Sequence, residues 1–120
     1  MADHPVIDLQ SIENLRALNP DDNDEFLREI VTIYLEDTPL RIAELDQSLA
    51  ANDVPKFTRA AHSVKGSSAN LGAMAVRAVA EQLEHQSAKQ GLADVVELLT
   101  ALKAEFARAQ TEFARLLPPR

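Results

Sequence analysis

The sequence predicts an all-α fold, an antiparallel up-and-down four-helix bundle with a short additional N-terminal helix. Three observations lead there. Apolar residues return every three or four positions through most of the 120 residues. Only 3 glycines are present and aromatics make up 4 %, which leaves little material for the turns and strands of a multi-strand β architecture. Each periodic stretch carries one apolar stripe and the connections are short, a pattern that closes as consecutive antiparallel neighbours.

The elements follow in order. Leu9, Ile12, Leu15 and Leu18 recur every third residue and define a short first helix packed across one end of the bundle. Asn19-Pro20-Asp21-Asp22 breaks it and supplies a cap for the next. The second helix runs from about Asn23 towards Ala51, with Phe26, Ile30 and Ile33 on one face and Ile42, Leu45 and Leu49 continuing it. Pro39 removes a backbone donor in its middle, so a kink, or two helices meeting at Thr38-Pro39, is expected. The third helix has Asp53 as N-cap and Pro55 in its first turn, and runs to about Leu71, where Gly72 stops it. The fourth carries Val76, Val79, Ala80 and Leu83 and frays near Gln90-Gly91. The fifth carries Val95, Leu98, Leu99, Leu102, Phe106, Phe113 and Leu116, and Pro118-Pro119 ends it. One domain accounts for the whole length, with flexible ends expected at 1–6 and 118–120.

Composition narrows the function classes. There are no cysteines, which rules out disulfides, thiolate metal sites and cysteine nucleophiles and fits a cytoplasmic setting. Lys and Arg number 12 against 19 Asp and Glu, a net charge of -7 that repels a nucleic-acid backbone. No apolar run approaches the roughly 18 residues of a membrane span. Met1 to Pro5 lacks the basic start and apolar run of a signal peptide. No Gly-rich phosphate loop or other ATP-binding signature is present, so the chain is not expected to make its own high-energy phosphate.

The third helix holds the chemistry. On a wheel of about 100° per residue, Phe57, Ala61, Val64, Ser68 and Leu71 share the core face. His62 is turned about 140° off the centre of that face. Its flank holds Thr58, Lys65, Gly66, Ala69 and Ala73, small residues apart from Lys65. Gly66 in a helix interior costs about 0.5–1 kcal/mol relative to Ala, and open approach to the imidazole one turn earlier is the compensating advantage. Lys65, three residues on, can bring an ammonium to the same space. A cation there keeps the ring neutral and nucleophilic, and it stabilises a dianionic phosphoryl group once attached.

The run His62-Ser63-Val64-Lys65-Gly66-Ser67-Ser68-Ala69-Asn70-Leu71-Gly72-Ala73 resembles the histidine-containing phosphotransfer (HPt) domain of bacterial multistep phosphorelays, with its motif close to H-x-x-K-G-[SA]-[SA]-x-x-x-G-[AF]. Every fixed position of the motif is matched. Ala60-Ala61, Leu83-Glu84, the helix order and the mid-helix Pro39 are compatible as well, so the resemblance spans most of the chain.

The resemblance implies a role for each residue. His62 is the phosphorylated residue, with Nε2 as nucleophile. Lys65 compensates phosphoryl charge and Gly66 clears the approach. A carboxylate on the following helix accepts a hydrogen bond from Nδ1; Glu84 stands at that place, with Glu81 as a substitute. Lys56, Arg59, Ser63, Ala69, Asn70 and Ala73 are expected to meet the partner, with Lys56, Arg59 and Lys65 facing its acidic pocket. The implied partners are response-regulator receiver domains and a hybrid sensor histidine kinase. No metal or other cofactor belongs to this chain; Mg²⁺ belongs to the receiver. A monomeric phosphoryl carrier, rather than an autonomous enzyme, is the implied state. The alternatives are a non-catalytic docking module for receivers or kinases, and a histidine-based hydrolase. A thin helical bundle gives the latter little of the concave pocket it requires.

Overall fold

Five α-helices make up the computed structural model, which describes residues 4–118: α1 (Leu9–Arg16), α2 (Glu25–Ala51), α3 (Val54–Asn70), α4 (Met74–Gln90) and α5 (Val96–Leu116). Among the described residues there is no strand. Helices α2 to α5 pack in sequence order and α5 returns to α2, which closes the four-helix bundle. The molecule measures 48 × 30 × 21 Å. Of the ends expected to be flexible, residues 1–3 and 119–120 lie outside the described residues. Pro5 and Val6 are tied down: Ala75 N donates to the Pro5 carbonyl at 3.1 Å, and Val6 packs against the core.

The helix ends follow local chemistry. Asn23 and Asp24 turn the chain into α2 in the left-handed region, at φ 57 and 65, and the Asp22 carboxylate accepts from Phe26 N at 2.9 Å. The division considered at Thr38-Pro39 is absent, since α2 is one helix through Ala51. Pro39 is exposed and Thr38 is 1 % exposed. The proline ring therefore stands on a face open to water rather than in the core. The Asp53 side chain accepts from Lys56 N at 3.2 Å and caps α3, with Pro55 in the first turn.

Gly72 ends the α3 stretch with φ +73. A Cβ there would lie 2.7 Å from Ser11 Cβ. The same glycine accepts from Asp8 N through its carbonyl at 2.7 Å, so the start of α1 sits directly on the α3–α4 connection.

The core face assigned to α3 is buried throughout: Phe57, Ala61, Val64, Ser68 and Leu71 are all 3 % exposed or less. Facing them are Leu27, Leu45, Leu83, Leu102 and Phe113. Tyr34 meets Phe106 and Phe113 edge-on at 5.8 and 6.0 Å between ring centroids, and its hydroxyl pairs with Ser68 Oγ at 2.8 Å. Burial pushes the Tyr34 phenol up to about 12, against the opposing pull of that hydrogen bond. The stripe expected on the first helix is only partly buried. Ile12 is 1 % exposed, while Leu9 and Leu18 are 60 % and 64 % exposed.

Candidate functional site

The α3–α4 pair is the most extensive helix contact in the molecule. Small buried residues on both helices, among them Ala60, Ala61, Ala75 and Ala80, let the backbones approach. On the rim of this seam three polar side chains meet. His62 projects from α3 with its side chain 65 % exposed. Its Nδ1 lies 2.7 Å from Glu84 Oε2, on α4. Lys65 Nζ lies 2.6 Å from the other oxygen of the same carboxylate, Oε1. Glu84 therefore joins the imidazole and the ammonium, and Glu81, the substitute considered, is exposed on α4.

Protonation follows from this geometry. Burial works to raise the Glu84 carboxyl, but the hydrogen bonds and charges of Lys65 and His62 outweigh it and hold it below the ordinary carboxylate value. An ionised carboxylate only accepts hydrogen bonds, so Nδ1 carries the proton. In the neutral ring the remaining nitrogen, Nε2, holds the free lone pair, on a largely exposed side chain. The ammonium that the sequence places beside the imidazole is bonded to Glu84 instead, with the carboxylate between the two.

Gly66 is exposed, and a Cβ added there meets nothing within 4 Å. The space beside the ring is thus open on the side one turn after His62. On the other side, Arg41, Glu44, Lys56, Arg59, Ala60, His62 and Ser63 line a cleft of about 450 Å³ between α2 and α3. The structure therefore brings Lys56, Arg59 and Ser63 to the same surface as His62. Ala69 is half-buried, and Asn70 lines a separate, more apolar groove with Leu15, Ile33 and Tyr34.

Ala73 corrects an expectation. It is 0 % exposed, because the helix ends at Asn70 and the turn at Gly72 carries Ala73 inward, so it cannot meet a partner. Thr58 also departs from the open flank, since its hydroxyl bonds Ser87 Oγ of α4 at 2.7 Å. Ser67 donates to the Ser63 carbonyl at 3.1 Å. Arg41, which the sequence did not single out, enters the cleft but is held by Asp37 and Glu44.

A closed helical bundle that presents one oriented, exposed imidazole on a seam is a scaffold for histidine chemistry at a protein surface. Residues 29–112 match the family model described as the Hpt domain, and the chain belongs to that family. Multistep phosphorelay regulator 1 of Schizosaccharomyces pombe is 33 % identical over 96 residues, covering 80 % of this chain and 32 % of that protein. The chain thus spans about a third of the length of that relative. The fold is shared with histidine-containing phosphotransfer protein B of Pseudomonas aeruginosa (TM-score 0.84, 24 % identity, 94 % of this chain and 95 % of the other). It is also shared with the histidine-containing phosphotransfer protein MtHPt2 of Medicago truncatula (TM-score 0.82, 24 % identity, 92 % and 76 %). The relative is fungal and the proteins that share the fold are bacterial and plant, so the bacterial source implied by the motif is not set by them.

Proposed function

We propose that this chain is a phosphoryl carrier in which His62 accepts a phosphoryl group from the aspartate of a receiver domain and passes it to a second receiver. The observation that carries the reading is the hydrogen bond of Nδ1 to Glu84, which supports Nε2 as the nucleophile. Nε2 attacks phosphorus, the acyl-phosphate P–O bond breaks, and the aspartate leaves as carboxylate. The positive charge on the phosphorylated ring is shared with Glu84 through the Nδ1 proton. Lys65 turns from Glu84 towards the phosphoryl oxygens, and Gly66 leaves room for the partner. Positioning and charge compensation are the whole of this chain's contribution, as phosphoryl transfer demands. Mg²⁺ is supplied by the receiver, the carrier acts as a monomer in the cytoplasm, and a hybrid sensor histidine kinase stands upstream.

Incubation with a phosphorylated receiver domain tests this. The chain gains an acid-labile, alkali-stable phosphate, and His62→Gln abolishes loading with the helical signal and melting midpoint nearly unchanged, as befits an exposed side chain. Loading of the His62→Gln variant at the parent rate overturns the assignment.

A further inference from the structure

The α3–α4 seam holds a further polar contact, and its location ties it to the imidazole. Thr58 stands four residues before His62 on α3, and Ser87 three residues after Glu84 on α4. Thr58 Oγ1 and Ser87 Oγ are 2.7 Å apart. Ser87 Oγ also donates to the Glu84 carbonyl at 3.1 Å. A hydroxyl has one proton. Ser87 spends its own on that carbonyl, so Thr58 is the donor between the two. The thread runs from Thr58 through Ser87 to the backbone of Glu84, and the Glu84 side chain returns to His62 on the helix where it began. Four residues on two helices thus form a closed frame, with two rungs about 5 Å apart along the axis.

Apart from these contacts and the Lys65–Glu84 ion pair at the rim, the buried part of the seam is apolar among the described residues. Ala61, Val64, Val76, Ala80 and Leu83 are buried and apolar, and such contacts tolerate small slides and rotations. A hydroxyl–hydroxyl bond does not. Ser87 is 0 % exposed, so its hydrogen bonds cannot be exchanged for water without opening the helices.

We propose that Thr58 and Ser87 are positioning residues for the phosphoryl transfer assigned to His62. Their hydrogen bond fixes the register of α4 against α3, so that Glu84 meets Nδ1 and Nε2 is left bare. The inference rests on the phosphotransfer reading, and its test separates the two.

The test uses phosphoramidate as a small donor, which removes receiver docking from the measurement. Nε2 forms the new N–P bond, the donor's P–N bond breaks, and ammonia leaves with the electron pair. The Nδ1 proton stays on the ring against Glu84. Initial loading rates, imidazole ¹⁵N shifts of His62 and melting midpoints are compared for the parent, Thr58→Val, Thr58→Ser and Ser87→Ala. Thr58→Val keeps the branching and volume and removes only the donor. It is expected to load about three- to tenfold more slowly, with shifts moved away from the Nδ1–H pattern. Thr58→Ser restores both. A purely packing role moves the melting midpoint while leaving the tautomer pattern of the folded protein at its parent value, and that result overturns the inference. If Thr58→Val does not fold, Ser87→Ala carries the same expectation, and parent rates with parent shifts in it count equally against the proposal. If the parent takes no phosphate on His62, the phosphotransfer reading fails, and the ¹⁵N shifts still decide whether Thr58 orients the ring.

Discussion

Glu84 accepts from the His62 imidazole and the Lys65 ammonium through its two oxygens, and that fixes how the site responds to acid. Its carboxyl is held below the ordinary value of 4.5 because, burial notwithstanding, Lys65 and His62 favour the ionised form. A carboxyl that protonates at lower pH folded than unfolded stabilises the fold fully above the unfolded value, and loses that contribution as pH falls through the folded one. Glu84→Gln removes the charge and leaves the side-chain shape. The parent is therefore expected to melt higher than Glu84→Gln at neutral pH, with the gap closing as pH drops through the depressed value. Thermal melts across that range check this; a gap that stays constant into strong acid contradicts the role given to Lys65. The sequence placed both Glu84 and Glu81 on the helix after His62 but left the choice between them open. That choice depends on the register of two helices, set by where α3 stops and α4 starts, which lies beyond the reach of periodicity in either helix alone.

Within α3 the sequence was most informative, and its limits have a physical origin. The wheel assigned all five core residues and the exposed histidine correctly, because α3 is regular from Val54 to Asn70. It failed at Ala73, where the same angle was carried past the helix end into a turn at φ +73. On the first helix a period of three drifts about 60° per step, so Leu9 stays exposed while Ile12 is buried, and Leu18 lies beyond the helix end at Arg16. At Pro39 the sequence leaves a kink or two meeting helices open because a lost donor is a local cost, whereas packing along the rest of α2 is a tertiary gain that keeps it one helix. Gly66 gives the element its own test. With nothing near its Cβ position, Gly66→Ala is expected to stabilise the domain by about 1 kcal/mol and raise the melting midpoint by a few degrees. Gly66→Leu also favours the helix, yet it fills the approach to the ring. It is expected to block transfer from a receiver while phosphoramidate still loads His62. Transfer from the receiver at the parent rate in Gly66→Leu rules out access as the reason for this glycine.

Over the whole molecule, charge is distributed against its own average. The chain carries a net -7, yet Lys56 and Arg59 border the cleft that contains His62, and neither makes an ion pair among the described residues. Elsewhere, Arg108 pairs with Glu105 and Arg115 with Glu112 on α5, solvated pairs of small energetic value. Lys65 is neutralised locally by Glu84. The free positive charge at the site therefore belongs to Lys56 and Arg59, set in a chain whose net charge is negative. Such an arrangement acts on encounter and orientation more than on final affinity. Reversing both charges, Lys56→Glu with Arg59→Glu, is expected to slow association with a phosphorylated receiver about tenfold at low salt. The deficit shrinks as salt rises and the screening length falls below about 8 Å. Melting should change little, since a glutamate in the first turn of α3 suits the helix dipole. Phosphoramidate loading should hold at the parent rate, since the imidazole and its Glu84 partner are untouched. Stopped-flow association at several ionic strengths reads the effect directly. A rate loss independent of salt shows that these side chains make a contact rather than steer, and an unchanged rate removes the basic pair from receiver recognition.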